Sequence, residues 1–161
     1  MHSPLYWQES IDYLSQSDPK LTKLFKDHKD YLIHSRGEAL ETLLRAIVGQ
    51  QISVQAAASV WGKLANKIGQ IKPENVLSLS FDDLKDCGLS KQKTQYLINI
   101  CNHFISFSIK DHSHWEDRSF ESVYQELITI KGVGPWTAEM FGMFYLLEKD
   151  IFPIKDIGII R

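Results

Sequence analysis

Two glycines, a proline and a tryptophan sit between two amphipathic runs in the stretch "LITIKGVGPWTAEMF", Leu127 to Phe141. Gly132-Val133-Gly134 is a turn with almost no side chain, and Pro135 follows at what reads as the first turn of a helix, where its missing N–H costs nothing. Helix, Gly-x-Gly turn, helix is a helical hairpin whose physics favours an anion. Glycine lets the backbone approach a ligand with no Cβ in the way. The uncapped N–H groups and the dipole at the start of the Pro135 helix add partial positive charge. Thr137 offers a hydroxyl to the same anion. Built this way, Gly132, Gly134 and Thr137 would grip a nucleic-acid backbone without reading its sequence, because phosphate contacts position and do not specify. A plain helix–helix corner that uses glycine for its turn explains the same spacing, and short glycine motifs alone do not separate the two readings.

The elements that must hold this hairpin read almost entirely as helix. Ser3-Pro4 and Asp18-Pro19 each look like an N-cap followed by a first-turn proline. Leu40, Leu43, Leu44, Ile47 and Val48 follow helical spacing between Glu38 and Val48, and Gly49-Gln50-Gln51 breaks that run. Ser53 caps a helix to about Lys67, Ser80 starts a short one that Gly88 ends, and Ser90 starts another towards Phe107. Residues 109–119, "IKDHSHWEDRS", read as a polar, irregular surface connection, with His112 and His114 in solvent and too few partners for a metal site. Phe120, Val123, Tyr124, Leu127 and Ile128 mark one helix face, and a last helix is expected from Pro135 to about Glu148. No convincing alternation marks a strand. The expected fold is all-α in a single domain.

Composition bounds the rest. The chain has 161 residues, 43% hydrophobic and 24% charged, ordinary values for one globular domain. A net charge of -2 neither points to nor forbids a nucleic-acid partner, since a local patch outweighs the sum. Cys87 and Cys101 are too few for a structural zinc site or an iron–sulfur cluster and read as reduced thiols. The start "MHSPLYWQES" is not a secretory signal and no run is long enough to span a bilayer, so a soluble, cytoplasmic protein is expected.

The motifs "SDPKL", "LLRAIVGQQISVQAAASVWGKL", "CGLSKQKTQYL", "IKGVGPWTAEMF" and "FPIKDIGIIR", in this order, cover nearly the whole chain. Together they resemble the helix-hairpin-helix DNA glycosylases, most closely the bacterial 3-methyladenine DNA glycosylase II branch. The resemblance implies two helical lobes around a cleft, a monomer acting on damaged duplex DNA, and a bacterial, nucleoid-associated location. It makes Asp156, 22 residues beyond Gly134, the catalytic carboxylate. Cutting an N-glycosidic bond builds positive charge on the sugar, and a fixed anion beside that charge is worth most where water is excluded. A surface Asp after a proline turn is the ordinary reading of the same residue.

Trp136 stands where strand-cleaving relatives carry a Schiff-base lysine, so the resemblance implies base release only. Trp136 and, one turn on, Met140 would line the base pocket, the indole by stacking and cation–π attraction to an alkylated purine and the thioether by a soft contact. Core packing is the ordinary reading of Met140. Gln51 matches the residue that enters the duplex after a nucleotide is flipped out, as against a solvated loop glutamine. Lys93 would touch a phosphate, or stand in solvent. The carbonyls of Ile128, Ile130 and Val133 would hold a monovalent cation, Na+ or K+, with no further cofactor required. Relatives continue beyond the position of Arg161, so a truncated C-terminal part is expected. The resemblance thus implies an enzyme excising 3-methyladenine-type purines. A non-catalytic duplex-binding module is the alternative. A glycosylase for mismatched adenine or oxidised guanine is disfavoured by the absent cluster cysteines and lysine.

Overall fold

Polar caps set most of the helix starts. In the computed structural model, which describes Pro4 and residues 6–29, 32–35 and 37–160, Asp18 accepts from the Lys20 N–H and opens α2 (Pro19–Asp27). α2 packs against α1 (Trp7–Ser17), and Thr22 Oγ1 donates to the Ser15 carbonyl at 2.7 Å across that corner. The cap expected at Ser3 lies outside the described residues. Among those residues there is no strand, and no helix is long and apolar enough to cross a membrane.

α3 (Ala39–Gly49) is the central element. Its Leu43, Leu44 and Ile47 are fully buried, and Val48 is nearly so. It lies against α4 (Val54–Ile68), α7 (Lys91–Ser106) and α9 (Pro135–Phe141). α4 and α7 begin where their serines predict, with Ser53 accepting from the Ala56 N–H and Ser90 from the Lys93 N–H. α5 (Pro73–Leu77) and α6 (Phe81–Lys85) are short and pack on α7. α6 is held by a capping box in which Ser80 and Asp83 satisfy one another's backbone N–H. α8 (Phe120–Leu127) buries Val123 and Leu127, but Ile128, expected on the same face, falls at the C-cap and is exposed.

Two expectations are corrected. The last long helix stops at Phe141 and widens into a π turn over Gly142–Leu146, closed by Leu147 in the left-handed region (φ 58°) and a Glu148 N–H to Gly142 carbonyl bond. Phe120 and Ile151 pack closely on Gly142, where a Cβ would lie 2.4 Å from Ile151 Cδ1 and 2.5 Å from Phe120 Cε2. Tyr6 reaches this turn from the other end of the chain, its hydroxyl donating to the Leu147 carbonyl at 2.8 Å.

Residues 109–119 are not merely a surface connection. Trp115 is 2% exposed, edge-on to Phe141 with ring centres 5.0 Å apart. A 3-10 turn (His112–His114) precedes it, and His114 is tied to Glu126 of α8 at 3.0 Å instead of lying free in solvent. Ile109, at the start of the stretch, is buried as well, so the segment is anchored in the core by two apolar side chains.

Candidate functional site

The hairpin between α8 and α9 uses its two glycines for different purposes. Ile130 N–H donates to the Leu127 carbonyl and Val133 N–H to that of Ile130, which folds the chain back at Gly132. Gly132 has φ +113°, and a Cβ there would stand 2.1 Å from Cγ of Tyr96 on α7. Only glycine fits, for backbone and packing reasons alike. Gly134 is an ordinary extended residue (φ -98°, ψ 179°), and a Cβ added to it would meet nothing within 4 Å. It is the N-cap of α9, with no side chain bonded to the first-turn N–H groups, and Pro135 takes the first helical position. The first glycine seats the hairpin on α7, and the second keeps the approach to α9 open.

Asp156 meets the hairpin directly. Its Oδ2 accepts the indole N–H of Trp136, two residues past Gly134, at 2.6 Å, and its Oδ1 accepts the Gly158 N–H at 2.7 Å. The second bond is the ordinary N-cap of a short helix, α10 (Ile157–Ile160). The first is not: it joins the carboxylate to α9 across twenty residues of sequence. Each carboxylate oxygen keeps a lone pair after these bonds, so the group is oriented and still able to act on a further atom. Trp136 and Met140 are both half-buried on α9, and Phe152, Ile154, Ile157 and Ile160 beside Asp156 are exposed. A shallow depression of about 290 Å³ lies elsewhere, between α7 and residues 129–131, lined by Asn99, Asn102, His103 and Lys131 among others, and neither Trp136 nor Asp156 borders it.

The α3–α4 turn is the third part. Gln51, expected at the wedge position, is exposed and left-handed (φ 57°). Its neighbour Gln50 turns inward: Nε2 donates to Thr137 Oγ1 at 3.0 Å and to the Gly132 carbonyl at 3.4 Å. Two expectations change with this. Thr137 is 1% exposed with its hydroxyl taken by Gln50, so that hydroxyl does not face an external anion. Lys93, expected at a phosphate or in solvent, is half-buried and turned onto the end of α3. Its ammonium donates to the Val48 and Gln50 carbonyls at 2.8 Å each, and burial holds it below the usual lysine range.

Sequence reasoning missed Gln50 and Gly158. Gln50 carried a signal, as one of two adjacent polar residues at the end of an apolar helix, whereas nothing in its neighbours sets Gly158 apart from any other helix glycine. Of the three carbonyls, Ile130's already accepts the Val133 N–H. Among the described residues no three acidic, cysteine or histidine side chains gather as a metal site.

The chain is similar to known proteins. The chain is 31% identical to DNA-3-methyladenine glycosylase 1 of Schizosaccharomyces pombe over 91% of its length, covering 65% of that protein. It is 30% identical to the DNA-3-methyladenine glycosylase of Saccharomyces cerevisiae over 94% of its length, covering 57% of that one. The chain thus spans between about half and two thirds of the length of these two relatives. Among solved structures, S. pombe 3-methyladenine DNA glycosylase in complex with abasic DNA superposes with a TM-score of 0.83 at 29% identity, over 93% of this chain and 76% of that one. A family model described as HhH-GPD superfamily base excision DNA repair protein matches residues 44–161, from the buried face of α3 through the hairpin to Asp156, and the chain belongs to that superfamily.

Proposed function

We propose that this chain carries the hairpin and carboxylate of a monofunctional DNA glycosylase that removes alkylated purines, of the 3-methyladenine type, from duplex DNA. The observation that carries this reading is the Trp136–Asp156 pair, a carboxylate held by an indole two residues past the second glycine of the hairpin. The names of the relatives, and abasic DNA in the solved complex of one of them, support it.

In this reading the open Gly132–Gly134 turn holds the backbone of the duplex, and Gln51 fills the gap left by the extruded nucleotide, offsetting a few kcal/mol of lost stacking. The Trp136 ring and Met140 face the flipped base. As the bond between the base nitrogen and C1′ breaks, its electron pair leaves with the base and positive charge grows on the sugar. The Asp156 carboxylate stabilises that charge, orients the water that adds to C1′ and takes the proton that this water gives up. The products are the free base and an abasic site. An already cationic alkylated purine leaves as a neutral base, which is why such a site needs little more than a fixed anion. Trp136 has no amine for a Schiff base, so the strand is left intact.

The enzyme acts as a monomer in this proposal. Carbonyls of Ile128, Ile130 and Val133 are hard, neutral donors that fit a monovalent cation: the Ile130 oxygen retains a lone pair beside its bond to Val133. Such an ion would stiffen the hairpin and take no part in bond cleavage.

The test is release of 3-methyladenine from methylated duplex DNA, read by chromatography, alongside binding of the same duplex. The parent chain releases base, and Asp156→Asn binds equally well but releases far less. Equal rates for the two would remove Asp156 from the chemistry, and binding with no release by either would make the chain a duplex-binding module.

A further inference from the structure

The turn that presents Gln51 is held from both sides by residues that would not themselves touch DNA. α3 ends at Gly49, and the chain then needs partners for its last carbonyls. Ile47's carbonyl takes the Gln50 N–H and Gly49's takes the Ile52 N–H, while those of Val48 and Gln50 both take the Lys93 ammonium. Every carbonyl from 47 to 50 is therefore occupied, two of them by one side chain from α7. A cation at a helix C-terminus also gains from the dipole. On the opposite side the Gln50 side chain ties the turn to the hairpin through Thr137 and Gly132. Between these ties lies Gln51, a residue with a Cβ held at φ 57°, a conformation that persists only where surroundings dictate it.

We propose that Lys93 and Gln50 are positioning residues that preset the turn so that Gln51 is aimed into the duplex, setting how readily the helix opens. This rests on the glycosylase reading, in which Gln51 is the wedge. The preset turn lowers the ordering cost at the moment of insertion, the usual gain from preorganisation. It also couples the wedge to the phosphate grip, since Gln50 bonds the very hairpin that holds the backbone.

The experiment uses a duplex carrying 2-aminopurine next to an abasic-site analogue, which brightens when the stack opens, and the matching single strand. Lys93→Met is expected to weaken duplex binding about tenfold, the scale of one charge-assisted bond lost, and to dim the fluorescence response. Single-strand affinity should change less than about twofold, since no stack has to open. Lys93→Arg, still able to span two carbonyls, restores most of the response. In a Gln51→Ala background Lys93→Met adds nothing further.

A lysine that touched phosphate would behave otherwise: duplex and single strand would weaken together, and the salt slope of binding would fall by about one. That result overturns the proposal, as does an additive effect on top of Gln51→Ala. Gln50→Ala, which cuts only the hairpin tie, should dim the response in the same way if Lys93→Met proves poorly folded, and an unchanged response there also overturns it. If Gln51→Ala itself leaves duplex opening unchanged, the wedge assignment falls. If it matters and Lys93→Met does not, only the positioning role falls.

Discussion

The indole nitrogen of Trp136 stands 2.6 Å from Oδ2 of Asp156, so the residue expected to wall the base pocket also aims the carboxylate. These two roles separate in Trp136→Phe, which keeps an aromatic face and removes the donor. A hydrogen bond to a charged group is worth about 1.5–3 kcal/mol, or roughly a 10- to 100-fold loss in the rate of base release if it acts mainly in the transition state. Affinity for the abasic product should change little. A variant as fast as the parent would leave the indole only its stacking role.

Gly158 controls the other oxygen. A Cβ on Gly158 would lie 3.0 Å from Asp156 Oδ1, closer than ordinary contact. Gly158→Ala therefore pushes on the carboxylate, while alanine favours the helical backbone of α10 by up to about 1 kcal/mol. The expected outcome is a split: slower base release with a melting temperature unchanged or raised. Parallel losses of activity and stability would mean that α10, and not the carboxylate's aim, was disturbed.

The two hairpin glycines should fail in opposite ways. Gly132→Ala forces a Cβ into the ring of Tyr96 at φ +113°, and strain of this kind costs on the order of 1–3 kcal/mol, measurable as a lowered urea midpoint. Gly134→Ala meets open space at an ordinary φ and should fold normally. Its methyl group sits where a phosphate would approach, so duplex affinity is the quantity that falls. Loss of stability in Gly134→Ala with affinity kept would reverse the assignment.

The contrast between these glycines shows where sequence reasoning stopped. Serine caps at positions 53, 80 and 90 were legible because the interaction is local, a side chain bonding an N–H within three residues. α5 was not, since Lys72 caps it without a side-chain bond. The π turn at Gly142 was illegible for a different reason: Phe120 and Ile151, which pack against that glycine, are distant in sequence or follow it. At the site, the glycine turn and Asp156 came from a motif. The partners of Lys93 and Thr137 depended on which element lies across from them, a fact that no spacing within one helix encodes.

The buried thiols should be chemically silent. Cys101 is fully buried, and burial, with the charge of Glu74 adding to it, pushes its pKa up to about 12. Since the thiolate is the reactive form, the native chain should leave Cys101 unmodified by iodoacetamide in mildly alkaline buffer. The same treatment in denaturant should label it fully by mass spectrometry. Native labelling at the rate of a free thiol would place Cys101 near a surface the fold does not show.

The carboxylate of Glu126 gives the fold a defined response to acid. It is 14% exposed and accepts from Arg118 Nη1 at 2.6 Å, and His103 Nε2 and His114 Nε2 stand 2.9 and 3.0 Å from its other oxygen. Burial alone would raise its pKa, but hydrogen bonds from His103, Arg118 and His114 outweigh that and hold it below the ordinary 4.5. A depressed folded-state pKa means that the stabilisation is fully present above the unfolded value and is lost as pH falls through the folded one. Glu126→Gln removes the charge at every pH. Its cost, about 1–3 kcal/mol for a buried bonded group, should therefore be largest near neutrality and shrink once the parent's own carboxylate is protonated, below 4.5. Urea titrations of parent and variant across that range read the difference directly. A gap between the two that stays constant into acid would show that Glu126 holds the loop through its shape and not its charge.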